Sequence, residues 1–307
     1  MRNQSEVRQL LAGSDIVGES VVWDSERKCL FWVDIIGRVI RRYEPATKAE
    51  RRWDLQEFPT SIGLRTDGDA ILGLTARVAL WDFEGEMKTF AVPEPDLPGN
   101  RLNEGRVAPD GSFWVGTMQQ NFAPDGSPTE LTEKSGRYYR VDPDGGVTKL
   151  SDDRYGITNT MIWLPDGRFV TADTTENRLY AYDVDLSGKA LRNRRPFSEP
   201  FNRGAPDGSC MDAEGGIWTC RVAGGSALTR TMPDGRVDRV VDLPCSWPTS
   251  CTFGGAELTT LYVTSARFTM SDEHLAANPQ EGGLFALEPG VAGLPEPRFR
   301  YGGDDTL

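Results

Sequence analysis

Short hydrophobic runs bounded by turn-forming residues recur along the chain, and within most of them apolar and polar positions alternate. Such alternation is typical of half-buried β-strands. The runs form six pairs: Cys29–Ile35 with Val39–Tyr43, Ala70–Leu74 with Val78–Phe83, Phe113–Met118 with Arg137–Val141, Phe169–Asp173 with Leu179–Val184, Ile217–Val222 with Leu228–Met232, and Leu261–Ser265 with Leu284–Leu287. Helical periodicity is weak beyond the short stretch Glu6–Leu11. The pattern predicts an all-β protein.

The paired runs repeat at a nearly regular interval. Turns of the Asp-Gly type precede them at Asp67-Gly68, Asp110-Gly111, Asp166-Gly167 and Glu214-Gly215, and glycine suits such turns because it accepts positive φ. The interval of roughly 40–55 residues, with several strands in each repeat, is typical of propeller blades. We therefore expect residues 1–307 to form a single domain, an all-β six-bladed β-propeller. The turn acids themselves, including Asp144 and Asp234, are interpreted as hairpin residues.

The repeat also locates a candidate site. The innermost strands of a propeller line its central channel, so residues at equivalent positions of those strands form a ring. Counting back seven residues from each turn that follows a first strand gives the ring Glu19, Thr60, Asn103, Asn159, Asp207 and Thr249. This all-oxygen set suits Ca²⁺ or Mg²⁺ and could also hold Mn²⁺ or Zn²⁺. Asn and Asp also occur before strands as plain turn residues, but the shared phase favours a site.

Composition removes several classes of function. The formal net charge is −12 and no Lys/Arg-rich run is present, which argues against partners such as nucleic acids and anionic membranes. No stretch of 18 or more apolar residues occurs, and Met1–Asp15 has no apolar secretory segment. The five cysteines lack C-x-x-C spacing, which favours buried thiols and a cytoplasmic location.

Nucleophilic and nucleotide chemistry find little support. The one histidine, His274, lies in a predicted loop, Met270–Asn278, far from any nucleophile motif, so a Ser-His-Asp or Cys-His arrangement is disfavoured. Neither G-x-G-x-x-G nor a P-loop motif appears. A metal ion acting as a Lewis acid beside a carboxylate is the simplest machinery that remains.

Several short motifs, in order and at consistent spacing, give the chain a resemblance to a known family. They are Gly18–Asp24, Leu30–Ile35, Asn100–Arg106, Phe113–Met118, Ile157–Thr160, Ala205–Gly208 and Asp212–Gly215. Together they resemble the SMP-30/gluconolactonase/LRE family from about Val17 to Ser265. Two departures are visible: Ser20-Val21 stands where the family has Gly-Pro, and Thr158-Asn159-Thr160 stands where it has Ser-Asn-Gly. Because these residues neighbour the ring, we expect them to shape the pocket.

The resemblance implies a six-bladed propeller that hydrolyses a small lactone, a sugar-acid lactone, with one divalent metal ion. By motif, the metal ligands fall on Glu19, Asn159 and Asp207, and the substrate-binding residues on Arg101 and Asn103. Asp207 is then also the catalytic group that accepts a proton from water. Three alternatives stay open: a non-catalytic metal- or metabolite-binding propeller, a lactone isomerase or other esterase at the same site, and a protein-interaction scaffold.

Two further features bear on the pocket. Arg221 follows the run Trp218–Cys220, so it either reaches the pocket, which would favour an acid-bearing lactone, or forms a surface salt bridge. The loop Gln119–Lys134 is long and lies between paired strands, and we expect it to cross the channel mouth.

Overall fold

Six antiparallel sheets of four strands each form a β-propeller in the computed structural model, which describes residues 6–185 and 187–301. The chain enters with β1 (Arg8–Leu11), which belongs to the last sheet. Five blades follow, each made of four consecutive strands paired in chain order. The sequence therefore predicted the architecture correctly.

The strands of the five consecutive blades have the following bounds. Blade one contains β2 (Gly18–Asp24), β3 (Cys29–Asp34), β4 (Val39–Glu44) and β5 (Ala49–Asp54). Blade two contains β6 (Pro59–Leu64), β7 (Ala70–Leu74), β8 (Val78–Trp81) and β9 (Lys88–Ala91). Blade three contains β10 (Asn100–Val107), β11 (Phe113–Gln119), β12 (Tyr138–Val141) and β13 (Val147–Lys149). Blade four contains β14 (Thr158–Trp163), β15 (Arg168–Asp173), β16 (Arg178–Val184) and β17 (Leu191–Pro196). Blade five contains β18 (Ala205–Met211), β19 (Ile217–Val222), β20 (Ala227–Thr231) and β21 (Val237–Asp242). A 3₁₀ turn, Thr174–Glu176, follows β15.

The sixth blade is assembled from both ends of the chain. It contains β22 (Pro248–Gly254), β23 (Thr260–Ser265) and β24 (Leu284–Leu287), and β1 completes it by pairing antiparallel with β24. Hydrogen bonds within one sheet thus close the ring. The weak helical prediction over Glu6–Leu11 was wrong, because so short a segment gains more from a sheet edge than from one unsupported helical turn.

Burial decreases from the innermost strands of the propeller to the outermost ones. The first strand of each blade lies innermost, and β2, β6 and β22 are buried at every residue, whereas β5 is almost wholly exposed. The six predicted pairs are the second and third strands of the blades. Aromatic side chains pack between neighbouring blades, as Trp114 does on Trp163 (centroids 5.1 Å apart) and Trp23 on Tyr262 (5.9 Å).

The predicted hairpin acids lie in turns. Carboxylate oxygens of Asp110, Asp144, Asp166 and Asp234 each accept a hydrogen bond from the backbone N–H two residues ahead, at 2.9–3.1 Å. The glycine that follows Asp110, Gly111, has φ +84°, a conformation in which other residues are strained. These acids are turn residues, as the sequence indicates.

The segment around His274 differs from its prediction. Asp272–Ala277 form a short helix, α1, capped by the Ser271 hydroxyl, where a loop was expected. All five cysteines are buried and unpaired. Among the described residues, no helix is long and apolar enough to cross a membrane.

A buried ionic cluster fixes the turn after β18. The Asp212 carboxylate, fully buried, accepts hydrogen bonds from the Trp218 indole at 2.8 Å and the Arg230 guanidinium at 2.7 Å. The backbone N–H groups of Glu214 and Gly216 donate to it as well, at 3.0 and 2.9 Å. Arg230 also pairs with Glu214 and Asp238, at 2.7 and 2.8 Å, so loss of the Asp212 carboxylate would mainly leave the indole and the two backbone N–H groups without an acceptor.

Asp212→Ala is expected to lower the free energy of unfolding by about 3 kcal/mol, since it leaves the buried Trp218 indole and two backbone N–H groups without their acceptor. Urea denaturation at neutral pH measures this loss. Asp234→Ala, at an exposed turn, serves as the control and should cost less than about 1 kcal/mol. Equal losses in the two variants would contradict the assigned role of the buried carboxylate.

Candidate metal and substrate site

Every inner strand has irregular pairing at or beside its predicted ring residue. The pairing with the second strand shifts register between Glu19 and Val22, Pro59 and Ser61, Leu102 and Gly105, Asn159 and Met161, Pro206 and Ser209, and Pro248 and Cys251. All six predicted ring residues lie at or inside these shifts. A bulge bends the strand and re-aims a side chain, so one repeated irregularity presents the ring residues alike in every blade.

One cavity of about 250 Å³ collects most of the candidate residues. Its lining includes all five residues assigned from the sequence: Glu19, Arg101, Asn103, Asn159 and Asp207. Thr249 of the ring also lines it, whereas Thr60 is buried outside the lining. The ring prediction therefore holds for five positions and fails for Thr60 as a cavity residue.

Glu19 and Asp207 bring negative charge into a site with little solvent. They are 9 % and 7 % exposed, and in the described part of the chain neither forms an ion pair. Burial raises the pKa of both carboxyls well above the ordinary range; repulsion from Asp207 and Glu104 adds to the rise at Glu19, and repulsion from Glu104 to that at Asp207. Burial likewise raises the pKa of Glu104 to about 7. Two close carboxylates that share the cavity lining with a single guanidinium, that of Arg101, form a site that a divalent ion would stabilise.

Asn159 supplies a third oxygen. Its amide N–H donates to the Thr174 hydroxyl at 2.8 Å, and that hydroxyl donates to the Pro206 carbonyl at 2.8 Å. This chain fixes the amide so that Oδ1, which is buried, has no hydrogen-bond partner. An unpartnered amide oxygen beside two carboxylates is the kind of donor set that Ca²⁺, Mg²⁺ or Mn²⁺ prefers. The residues present therefore fit a divalent metal ion.

Arg101 is held by two asparagines. One of its terminal nitrogens donates to Asn103 Oδ1 at 2.7 Å, and its other N–H groups donate to Asn121 Oδ1 at 3.0 and 3.1 Å. Asn103 in turn donates to the Thr158 carbonyl at 2.8 Å. Burial lowers the pKa of Arg101 to about 9, while Glu19 and Asp207 oppose that fall. The guanidinium is therefore aligned before any ligand enters.

The loop 119–134 contributes part of the cavity wall, and its crossing of the channel mouth stays a prediction. Asn121 and Phe122 line the cavity, and Phe122 packs on Phe58 with ring centroids 4.7 Å apart. Individual loop residues were not predicted as site residues. Only the length and placement of the loop could have indicated Asn121, because its role comes from a contact with Arg101 that sequence spacing does not show.

Arg221 does not reach the cavity and forms no surface salt bridge, so both expectations for it were wrong. It is 3 % exposed and donates to the Asn177 side chain at 2.6 Å and to the carbonyls of Phe201 and Gly204 at 3.0 and 2.6 Å. Burial lowers its pKa to about 10. Arg221 is thus a buried residue that stabilises the segment between β17 and β18. His274 lies outside the cavity lining too, 3.4 Å from Glu281.

The two departures from the family motif lie at strained bulge positions. Ser20 and Thr160 have φ of 53° and 56°, a left-handed conformation that favours glycine. Their hydroxyls reach neighbouring blades: Ser20 Oγ accepts from the Ile62 N–H at 3.0 Å, and Thr160 Oγ1 donates to the Asp207 carbonyl at 2.6 Å. Neither residue lines the cavity, so they affect the site through the strands that carry it.

Glu19→Gln is expected to stabilise the chelator-treated protein at pH 8 by roughly 1 kcal/mol or more. The raised pKa means that folded Glu19 retains a proton which the unfolded chain releases, so wild-type stability falls as pH rises from the unfolded value through the raised one. Glutamine cannot ionise, so its advantage should shrink at pH 5. Urea denaturation at both pH values measures the difference.

Glu130→Gln, an exposed control, should change stability little at either pH. A Glu19→Gln protein less stable than wild type at pH 8 would contradict the picture of mutually repelling buried carboxylates.

Comparisons with known proteins identify the family of the chain. The model of the "SMP-30/Gluconolactonase/LRE-like region" matches residues 17–267. Regucalcin from Gallus gallus is 33 % identical over 297 residues, 95 % of this chain and 98 % of the relative. The 6-deoxy-6-sulfogluconolactonase of Pseudomonas putida is 33 % identical over 289 residues, 92 % of this chain and 95 % of the relative.

A solved structure is similar over nearly the whole chain. The calcium-binding protein regucalcin from Agrobacterium tumefaciens superposes with a TM-score of 0.88 at 30 % identity, covering 96 % of this chain and 98 % of that one. The family model, the identity to full-length relatives and the six-bladed architecture lead to one conclusion: the chain belongs to the SMP-30/gluconolactonase/LRE-like family.

Proposed function

We propose that this protein is a divalent-metal-dependent lactonase that hydrolyses a sugar-acid lactone to the free acid. The main support is that one cavity brings together two carboxylates without ion pairs, Glu19 and Asp207, and the Asn159 Oδ1 atom, which has no hydrogen-bond partner. The pre-aligned Arg101 lies in the same lining. A full-length relative named a gluconolactonase supports the lactone as substrate class. The five free, buried cysteines fit a reducing cytoplasm.

Glu19, Asn159 and Asp207 would hold the metal ion. Their donors are hard oxygens, which suit Ca²⁺, Mg²⁺ or Mn²⁺ and also allow Zn²⁺, and one relative is described as a calcium-binding protein. When bound, the ion would polarise the lactone carbonyl and stabilise the negative charge that develops on its oxygen.

The protein's own groups would bind the substrate and move the proton. Asp207 accepts a proton from water, whose oxygen attacks the lactone carbonyl carbon; the bond from that carbon to the ring oxygen breaks, and the ring oxygen takes up a proton to give the hydroxy acid. With a divalent ion bound, Asp207 would stay in the carboxylate form, which is the form that accepts a proton. Arg101 and Asn103 orient the ring and its substituents, because each is already fixed by the other.

A second candidate is a propeller that binds a metal without turnover, which the calcium-binding description of a relative favours. A third, a lactone isomerase or another esterase, would use the same site, and analysis of the product separates it from ring opening.

Chelator-treated protein supplied with Ca²⁺, Mg²⁺, Mn²⁺ or Zn²⁺ is expected to release acid from one of a panel of aldono- and aldarolactones in a metal-dependent way. Asp207→Ala should lower kcat/KM by about a thousandfold or more, since it removes both a ligand and the base. Continuous pH-indicator assays measure both effects. Asp234→Ala, an exposed turn aspartate, should keep wild-type activity. Tight metal binding with no turnover would move the assignment to the binding protein.

The Thr160 hydroxyl gives a subtler test of the metal site. Thr160→Gly removes the bond to the Asp207 carbonyl but also relieves the strained φ, so stability should change by less than about 1 kcal/mol. Mn²⁺ affinity should fall roughly three- to tenfold, because the strand that carries Asp207 loses its support. Thr160→Ser, which keeps the hydroxyl, should bind like wild type. Calorimetric titration gives the affinities; equal values for the glycine and serine variants would contradict this role.

A further inference from the structure

The cavity wall beyond the polar residues is apolar. Ile36, Phe122, Val222, Trp247 and Phe268 line it, and they come from blades one, three, five and six. Three of the five are aromatic, so the wall offers broad apolar contact surface. At about 250 Å³, the space suits a single small ring rather than an extended ligand.

The polar groups of the cavity are largely occupied by one another. The Asn103 amide N–H donates to Thr158, that of Asn159 to Thr174, and the Thr249 hydroxyl to the Gly18 carbonyl. Four bonds use four of the five N–H groups of Arg101. Few hydrogen-bond donors are therefore left for the oxygens of a ligand rich in hydroxyls, and each hydroxyl buried without a partner costs free energy.

Positive charge is scarce as well. Among the described residues that line the cavity, Arg101 is the one cation, and it is already bound to Asn103 and Asn121. Because four of its five N–H groups are already bonded, Arg101 has one N–H group left and cannot form a new two-bond pair with a carboxylate or sulfonate on the ligand. Arg221 does not line the cavity and so cannot bind a second acid group of a ligand there. It donates hydrogen bonds to the carbonyls of Phe201 and Gly204.

Resting on the proposed lactonase function, we infer that the substrate is a deoxygenated sugar-acid lactone. One edge of its ring carries methyl or methylene groups in place of hydroxyls and lies against the apolar wall, while the carbonyl faces Glu19, Asn159 and Asp207. The site accordingly prefers such a lactone to a fully hydroxylated aldonolactone and to a lactone with a second acid group.

Two matched pairs of lactones test the inference on the Mn²⁺-loaded protein: glucono-1,5-lactone with 6-deoxyglucono-1,5-lactone, and glucono-1,4-lactone with glucaro-1,4-lactone. The 6-deoxy compound replaces one hydroxyl by hydrogen and should show a kcat/KM about tenfold or more above that of glucono-1,5-lactone. The acid-bearing glucaro-1,4-lactone should be hydrolysed less efficiently than glucono-1,4-lactone, which has the same ring. Turnover of glucono-1,5-lactone as efficient as that of the 6-deoxy compound, or better, would overturn the inference and leave the proposed function intact.

Phe268 provides a matched pair of wall variants. Phe268→Leu keeps an apolar side chain and should retain the preference for the 6-deoxy lactone, whereas Phe268→Asn, of nearly the same size as leucine, should reduce it several-fold. An unchanged ratio in both variants would show that the wall does not select the substrate and would overturn the inference.

A binding measurement separates recognition from chemistry. 1,5-Anhydroglucitol and its 6-deoxy analogue lack the lactone carbonyl and cannot be hydrolysed, so the difference between their affinities by calorimetry reports the contribution of the position-6 group without chemistry. The 6-deoxy ether should bind more tightly by about the factor seen in kcat/KM. Equal affinities would contradict the inference. Failure of every lactone to turn over with any metal would contradict the proposed function, and the inference would fall with it.

Discussion

The convergence of six inner strands on one axis is the constraint on which the rest of this structure depends. Strands such as β2 and β22 are buried at every residue, so any polar group they carry must find a partner within the protein. The bulges make such partners possible, because each bulge leaves backbone and side-chain groups outside the regular hydrogen-bond ladder. The site is therefore built where each inner strand departs from ideal pairing with its neighbour.

Burial of this kind explains the electrostatics of the cavity. Glu19, Glu104 and Asp207 would be ordinary carboxylates at the surface, yet close to the axis the loss of solvent raises the pKa of each. Arg101 shows the reverse, with its pKa lowered to about 9 by the same burial. Without a bound metal ion, the buried charges of the site therefore interact unfavourably, and a divalent ion would relieve this. The fold tolerates the cost because most of its hydrophobic core lies between the blades, away from the site.

Repetition made the fold and most of the cavity predictable from sequence. A turn that recurs after each first strand sets a common phase, and five of the six ring positions found by that phase line one cavity. Glu6–Leu11 escaped prediction because its strand identity depends on pairing with β24 at the other end of the chain. Arg221 and Asn121 escaped because their partners, Asn177 and Arg101, are fixed by loop conformation, which no periodic pattern encodes.

The sixth blade gives the protein an order of assembly. During synthesis the first five blades can each pair their own strands as they emerge, since each is continuous in the chain. β1 must wait, with no sheet to join, until β24 has left the ribosome. The blade that this pairing completes lies between blades one and five, and its β22 packs against both β2 and β18. The first described strand is thus the last to find its sheet partner, and the blade it completes separates the two strands that supply Glu19 and Asp207 to the candidate site.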